Sequence, residues 1–233
     1  MKRYRIAGLN VDMDVADRTA VQARAYEVAA DGPADITICC DVQAFLQRNP
    51  SIQTLEMAQY VVTGMAFTRG LLEHNGIYLH ASAVVLDGKA YLFSADSGTG
   101  KSTHTEKWCR LFGATYLNDD KPALRLVDGV WMAYGTPWSG KHDLSAPIGV
   151  PLGGIAFLRR GQENTIRRLA ASEAIADVLR QSFWKLRSEQ MSIHLELVDK
   201  LLRQVPVWEL ICKNEDAAAL VSRDAMVQVV AQI

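Results

Sequence analysis

Apolar and polar residues alternate over short stretches near the start of the chain, as in Tyr4 to Val11 and Ile36 to Cys40. The turn residues Asp31-Gly32-Pro33 lie between them. A period of two bounded by such turns predicts strands. From Ile52 to Leu72 the period lengthens: Leu55, Tyr60, Val61, Met65 and Leu72 recur at helical spacing, which predicts an amphipathic helix. Asn75-Gly76 closes it as a C-terminal cap would.

The next stretch, IYLHASAVVLDGKAYLFSA, carries two β-rich runs around Asp87-Gly88, a strong hairpin signal. A glycine-rich turn follows, then a helix from Ser102 to Phe112 closed by Gly113. ATYL is a short strand running into Asn118-Asp119-Asp120, and Asp128-Gly129 joins two more strands. Residues 155–159 and PVWELIC read as strands, Ser172 to Val205 as largely helical, and Asn214 as the cap of a last helix. This interleaving predicts an α/β fold with a mixed sheet, not a regular parallel one. Residues 1–72 form a small N-terminal α+β segment in this reading, and 73–233 the main domain.

Composition narrows the function classes. With 233 residues, 49% hydrophobic and 22% charged, the chain is an ordinary globular protein. A net charge of -1 offers no field to attract nucleic acid or an anionic membrane, so neither is an expected partner. No run of about 18 apolar residues exists, and acids interrupt the basic N-terminus before a signal-peptide core could form. The four cysteines, Cys39, Cys40, Cys109 and Cys212, lack metal-site spacing and read as buried thiols of a cytoplasmic protein.

The chemistry concentrates in Ala95-Asp96-Ser97-Gly98-Thr99-Gly100-Lys101-Ser102, close to the phosphate-binding Walker A pattern G-x-x-x-x-G-K-[ST] but with alanine in first place. Small residues let backbone N–H groups face phosphates, a lysine reaches the outer phosphates, a hydroxyl ligates magnesium, and a helix begins there. Asp96, Ser97, Gly98, Thr99, Gly100, Lys101, Ser102 and Thr103 are therefore the candidate nucleotide-binding residues. Asp119 and Asp120 follow a strand end, where ligands gather in α/β proteins. If that strand lies beside the one feeding the loop, both acids approach the terminal phosphate. One would then hold metal and the other accept a proton from an attacking hydroxyl.

At these residues the chain resembles the HPr kinase/phosphorylase family, within the phosphoenolpyruvate-carboxykinase-like P-loop fold. The family's G-D-S-G-x-G-K-S corresponds to the stretch from Ala95 to Ser102, and its strand histidine to His80 of YLHASAV. Its acidic pair corresponds to Asp119-Asp120. The similarity is greatest to the shorter HPr-kinase-like proteins and extends from about Gly76 to Asp120. It implies an ATP- and magnesium-dependent phosphotransferase moving a γ-phosphate to a hydroxyl of a protein, a peptide or a small molecule. Lys101 would steady phosphate, Ser102 and Asp120 would hold magnesium, Asp119 would be the base and His80 would sit beside the transferring group. Oligomerisation is implied by analogy with the hexameric HPr kinases.

Two further stretches are candidates. GTPWSGKHDL is either an exposed loop with Trp138 as an aromatic face and Lys141 and His142 as donors or a packed loop around a core tryptophan, and Arg159-Arg160 either meets a transferring phosphoryl group or is a solvated pair. His104 and Glu106 lie on the loop helix, where exposure without a role is the expectation. The rival functions are a nucleotide hydrolase, a carboxykinase-type transfer that needs a further metal cluster, and a nucleotide sensor without turnover.

Overall fold

The structure is a computed structural model that describes residues 1–182, 186 and 188–228. It opens with a hairpin, β1 (Lys2–Ile6) and β2 (Leu9–Met13), turning on Ala7 and Gly8, both at positive φ. Helix α1 (Asp17–Ala23) follows, then β3 (Ile36–Ile38), which joins β2 in parallel. Helix α2 (Val42–Arg48) starts at Asp41, whose carboxylate accepts from the Ala44 N–H at 2.9 Å. Helix α3 (Leu55–Glu73) starts at Thr54, whose hydroxyl accepts from the Met57 N–H at 3.1 Å. Phe67 and Leu71 of α3 share one apolar core with Tyr4, Ile6, Val11 and Met13 of the small sheet.

The main sheet comprises β4 (Gly76–Tyr78), β5 (Ala81–Leu86), β6 (Lys89–Ser94), β7 (Thr115–Asn118), β8 (Ala123–Val127), β9 (Val130–Tyr134), β10 (Gly149–Arg160), β11 (Thr165–Arg168) and β12 (Val207–Cys212). Its helices are α4 (Lys101–Phe112), α5 (Ala171–Ser182), α6 (Ser188–Gln204) and α7 (Asp216–Gln228). The strand order is β4-β8-β9-β10-β6-β5-β7, with β12 added to β10 and β11 to β12. Parallel and antiparallel pairs coexist, as the sequence pattern predicts.

Strand β10 makes the sheet curl. Its first three residues pair antiparallel with β9, and its remainder pairs parallel with both β6 and β12. The changeover falls at Gly153-Gly154, where the register with β6 shifts. A Cβ on Gly154 would stand 2.3 Å from the Trp208 ring, so only glycine lets β10 pass that close.

The strands β6, β10 and β12 are apolar on both faces, as strands covered by helices on each side must be. Leu92, Ile155, Phe157 and Val207 face Ala174, Val178, Val198 and Leu201 of α5 and α6. Phe93, Ala156, Leu158, Trp208 and Leu210 face Trp108 of α4 and Ala219 and Met226 of α7.

Several expectations need correction. The run before Asp87-Gly88 is two strands, because β4 leaves for β8 while β5 pairs with β6. They part at Leu79-His80, where the His80 N–H donates to the Gln181 carbonyl at 2.8 Å instead of continuing a ladder. Strands β6 and β7 are not neighbours, since β5 runs between them. The helical run from Ser172 to Val205 is two helices, and its residues 183–185 and 187 lie outside the described residues. Helix α7 begins at Asp216, beyond the capping reach assigned to Asn214, whose side-chain amide oxygen accepts from Lys107 Nζ instead. The cysteines are not buried: Cys39 is exposed and the other three are half-buried. Among the described residues no helix is long and apolar enough to cross a membrane.

The crowding at Gly154 gives a prediction. Gly154→Ala is expected to lower the stability by about 1–3 kcal/mol through overpacking against Trp208, read as a lower urea midpoint at unchanged slope.

Candidate active site

Strand pairing brings the candidate residues together. β5 is antiparallel to both β6 and β7, so the carboxyl ends of β6 and β7 share an edge with the amino end of β5. The glycine-rich loop leaves β6, the acid pair leaves β7, and His80 immediately precedes β5. Neighbouring strands lie roughly 4.8 Å apart, so His80 bridges a gap of about two strand spacings between loop and acids.

The loop is built for an inward-facing backbone. Ala95 is buried beneath it, and Gly98 and Gly100 take φ of +77° and +120°. Nothing lies within 4 Å of a Cβ at either, so glycine is required there for conformation and not for space. The Thr99 N–H donates to the Asp96 carbonyl at 3.2 Å, closing the turn, and α4 starts one residue after Gly100. Lys101 folds back over the loop, its Nζ donating to the Ala95 carbonyl at 2.9 Å. Burial lowers its pKa, while Asp120 and Asp96 act in the opposite sense. Ser102 and Thr103 are exposed on the first turn of α4.

The acid pair is held from behind. Asn118 is fully buried; its amide nitrogen donates to the Thr136 carbonyl at 2.9 Å. Its amide oxygen accepts from the N–H groups of Asp120 (2.9 Å) and Lys121 (2.6 Å), an Asx turn that fixes both acids. The Asp119 carboxylate accepts from the Gly140 N–H, and the Asp119 N–H donates to the Leu144 carbonyl at 3.0 Å. Burial pushes the Asp119 carboxyl above the usual carboxylate range, only partly offset by the Gly140 N–H, and the neighbouring Asp120 adds to the rise.

Asp120 behaves oppositely. Burial pushes it up as well, but the His80 hydrogen bond and the Lys121 ammonium outweigh that and hold it well below the usual range. His80 Nε2 lies 3.2 Å from one carboxylate oxygen, and Lys121 Nζ bonds the other. The Tyr60 hydroxyl lies 3.3 Å from that second oxygen and donates to the Ser139 carbonyl at 2.9 Å. On its other side His80 Nδ1 meets the Gln181 side-chain oxygen at 3.0 Å, and the Gln181 amide nitrogen donates to Asp96 at 3.1 Å. A polar chain thus runs from the loop to the acid: Asp96, Gln181, His80, Asp120.

One cleft of about 960 Å³ collects His80, Ser97, Gly98, Gly100, Lys101, Ser102, Thr103, Asp119 and Asp120. Two of the nucleotide-binding candidates are not in its lining. Asp96 points to Gln181 and, at 3.8 Å, to Arg180, and Thr99 faces a separate cleft. Lys141 and His142 do line it, but Trp138 is core, stacked 4.7 Å from Phe67. His104 is buried and not exposed; its Nε2 bonds Ser222 Oγ at 3.0 Å and its ring packs on Phe93. Arg159 pairs with Asp177. Asn118, Gln181, Tyr60 and Lys121 are not among the site residues that the sequence singles out. Of these, Asn118 alone carries a local signal, as an asparagine opening a turn.

The family model of SynChlorMet cassette protein ScmC matches residues 38–217, over three quarters of the chain. The chain belongs to the ScmC family. That ScmC match contains every candidate site residue from His80 to Asp120, together with Gln181. No curated protein matches this ScmC-family chain. Among solved structures, the HPr(Ser) kinase/phosphatase from Coxiella burnetii is similar over 66% of this chain and 98% of that one, with 10% identity and a TM-score of 0.39.

Burial of His104 sets a pH dependence. Burial drops its pKa from 6.5 to about 3, so between those values the unfolded chain takes up a proton that the folded chain refuses. Stability from this group is full at neutral pH and falls as pH drops below about 6.5, by at most about 1.4 kcal/mol per pH unit. His104→Gln is expected to fall less steeply between pH 7 and pH 5 than the wild type in urea titrations.

Proposed function

We propose that this chain is a cytoplasmic, ATP- and magnesium-dependent phosphotransferase that moves the γ-phosphoryl group to a hydroxyl of a protein, a peptide or a small molecule. The observation that carries the reading is the opposite treatment of two adjacent carboxylates in one cleft with a lysine-bearing glycine-rich loop. Asp120 is held ionised by the Lys121 ammonium and a His80 hydrogen bond, whereas Asp119 is buried, accepts from a backbone N–H and is raised above the usual carboxylate range. Groups pushed apart in this way suit different roles.

Asp119 accepts the proton of the acceptor hydroxyl as its oxygen bonds to the γ-phosphorus. The bond to the β,γ-bridging oxygen breaks, and ADP leaves with that electron pair. Lys101 meets the phosphate oxygens from the loop, and backbone N–H groups at the start of α4 face the same charge. His80 lies between the loop and Asp120, beside the transferring group.

The donors present fit magnesium. Ser102 offers an exposed hydroxyl, and Asp120 an ionised carboxylate with spare lone pairs, both on the same cleft. No group of three His, Cys, Asp or Glu side chains forms a metal cage among the described residues. Magnesium needs none, taking one or two protein oxygens along with phosphate and water. When bound it supplies neutralisation of phosphate charge.

With γ-labelled ATP, a lysate and the products of neighbouring genes, the wild type is expected to label a discrete acceptor. Asp119→Asn should bind MgATP within about threefold of the wild type yet transfer at least about a hundredfold more slowly. Lys101→Ala should weaken MgATP binding by about tenfold or more. Binding without transfer to any acceptor would overturn the kinase reading in favour of a nucleotide sensor; phosphate release to water alone would favour a hydrolase.

A further inference from the structure

The glycine-rich loop is flanked by open space on two sides. The cleft described above lies towards β5 and β7. A second, of about 580 Å³, lies over the carboxyl ends of β10 and β12, and Gly98 and Gly100 line both. The edge therefore reads in order: acids, loop, second cleft. β6, β10 and β12 are parallel, so all three deliver their following loops to this edge, the position at which α/β sheets take ligands.

The second cleft has a defined chemistry. Its apolar lining comes from Leu158, near the end of β10, and the half-buried Cys212, which ends β12. Gln162 and Asn214 supply amides. Lys107, Arg160 and Lys213 carry positive charge, and no carboxylate is among the described residues lining it. Arg160 also donates to the Gly98 carbonyl, joining this wall to the loop. A small apolar floor ringed by convergent polar and cationic groups, in a volume within the range of small-molecule sites, suits a polar, anionic ligand.

We propose that this second cleft is the nucleoside subsite: the base lies against Leu158 and Cys212, its edge is read by Gln162 and Asn214, and the three cations meet the ribose-proximal phosphate. This rests on the phosphotransferase reading, since both need phosphates in the loop. A polyphosphate held at Gly98 to Lys101 with its terminal group towards Asp119 has its other end on the side of β10 and β12. The positive, carboxylate-free lining selects a nucleoside polyphosphate over a neutral nucleoside.

Cys212 gives a direct probe. Alkylation of the whole chain with iodoacetamide, followed by mass spectrometry, compares Cys212 with Cys39, Cys40 and Cys109. Saturating MgATP is expected to slow Cys212 alkylation at least about fivefold, and inorganic tripolyphosphate to leave it unchanged. In parallel, the wild type should bind MgATP at least about tenfold more tightly than tripolyphosphate, a difference of about 1.4 kcal/mol. Cys212→Phe should remove most of that margin while tripolyphosphate affinity stays within about twofold. Lys213→Glu, an exposed change that leaves the core intact, should weaken MgATP more than fivefold. Lys101-dependent MgATP binding that leaves Cys212 unprotected, and unaffected by both substitutions, would overturn the subsite while the phosphotransferase reading stands. Absence of any MgATP binding would overturn both.

Discussion

One strand of reversed direction organises the site. Because β5 runs antiparallel between β6 and β7, a loop, a histidine and an acid pair emerge on one edge from three adjacent strands. Without β5 the loop and the acids would sit about one strand spacing apart, with no chain between them. With it, the gap is filled by His80, whose backbone N–H leaves the ladder and bonds Gln181. The tight passage of β10 past Trp208 then extends the same edge to the other side of the loop.

The electrostatics follow from who supplies each hydrogen bond. Two adjacent carboxylates in a cleft repel, and like charges are tolerated only if their surroundings differ. Here Asp120 receives the side chains of Lys121 and His80, and Asp119 receives a backbone N–H from Gly140. The difference is written in the loop 135–144, which closes on Asp119 from both directions through Gly140 and Leu144. A side chain on Gly140 would meet the Asp119 carboxylate at 3.1 Å, so that approach depends on its absence.

Local signals in the sequence carried the elements well. Periodicity at Leu55 to Leu72, the two Asp-Gly turns and Gly113 correspond to α3, two hairpins and a helix end, each a matter of nearest-neighbour chemistry. The loop and the acid pair were legible for the same reason. What depended on long-range pairing was not: the splitting of β4 from β5 and the separation of β6 from β7 are decided by partners far along the chain. His104 was misjudged, and Trp138 left open, because burial cannot be read from a helix face or a loop whose neighbour is unknown. Gln181 lies 101 residues from His80 and carries no motif of its own.

The contact made by Tyr60 reaches beyond packing. Its helix α3 belongs with the front sheet, yet its hydroxyl stands between the Ser139 carbonyl and Asp120, and burial keeps that phenol neutral. The front layer thereby reaches one of the two carboxylates of the candidate site. A change at Tyr60 would then disturb the setting of Asp120 as well as the packing of the small sheet, so the two layers cannot vary independently there.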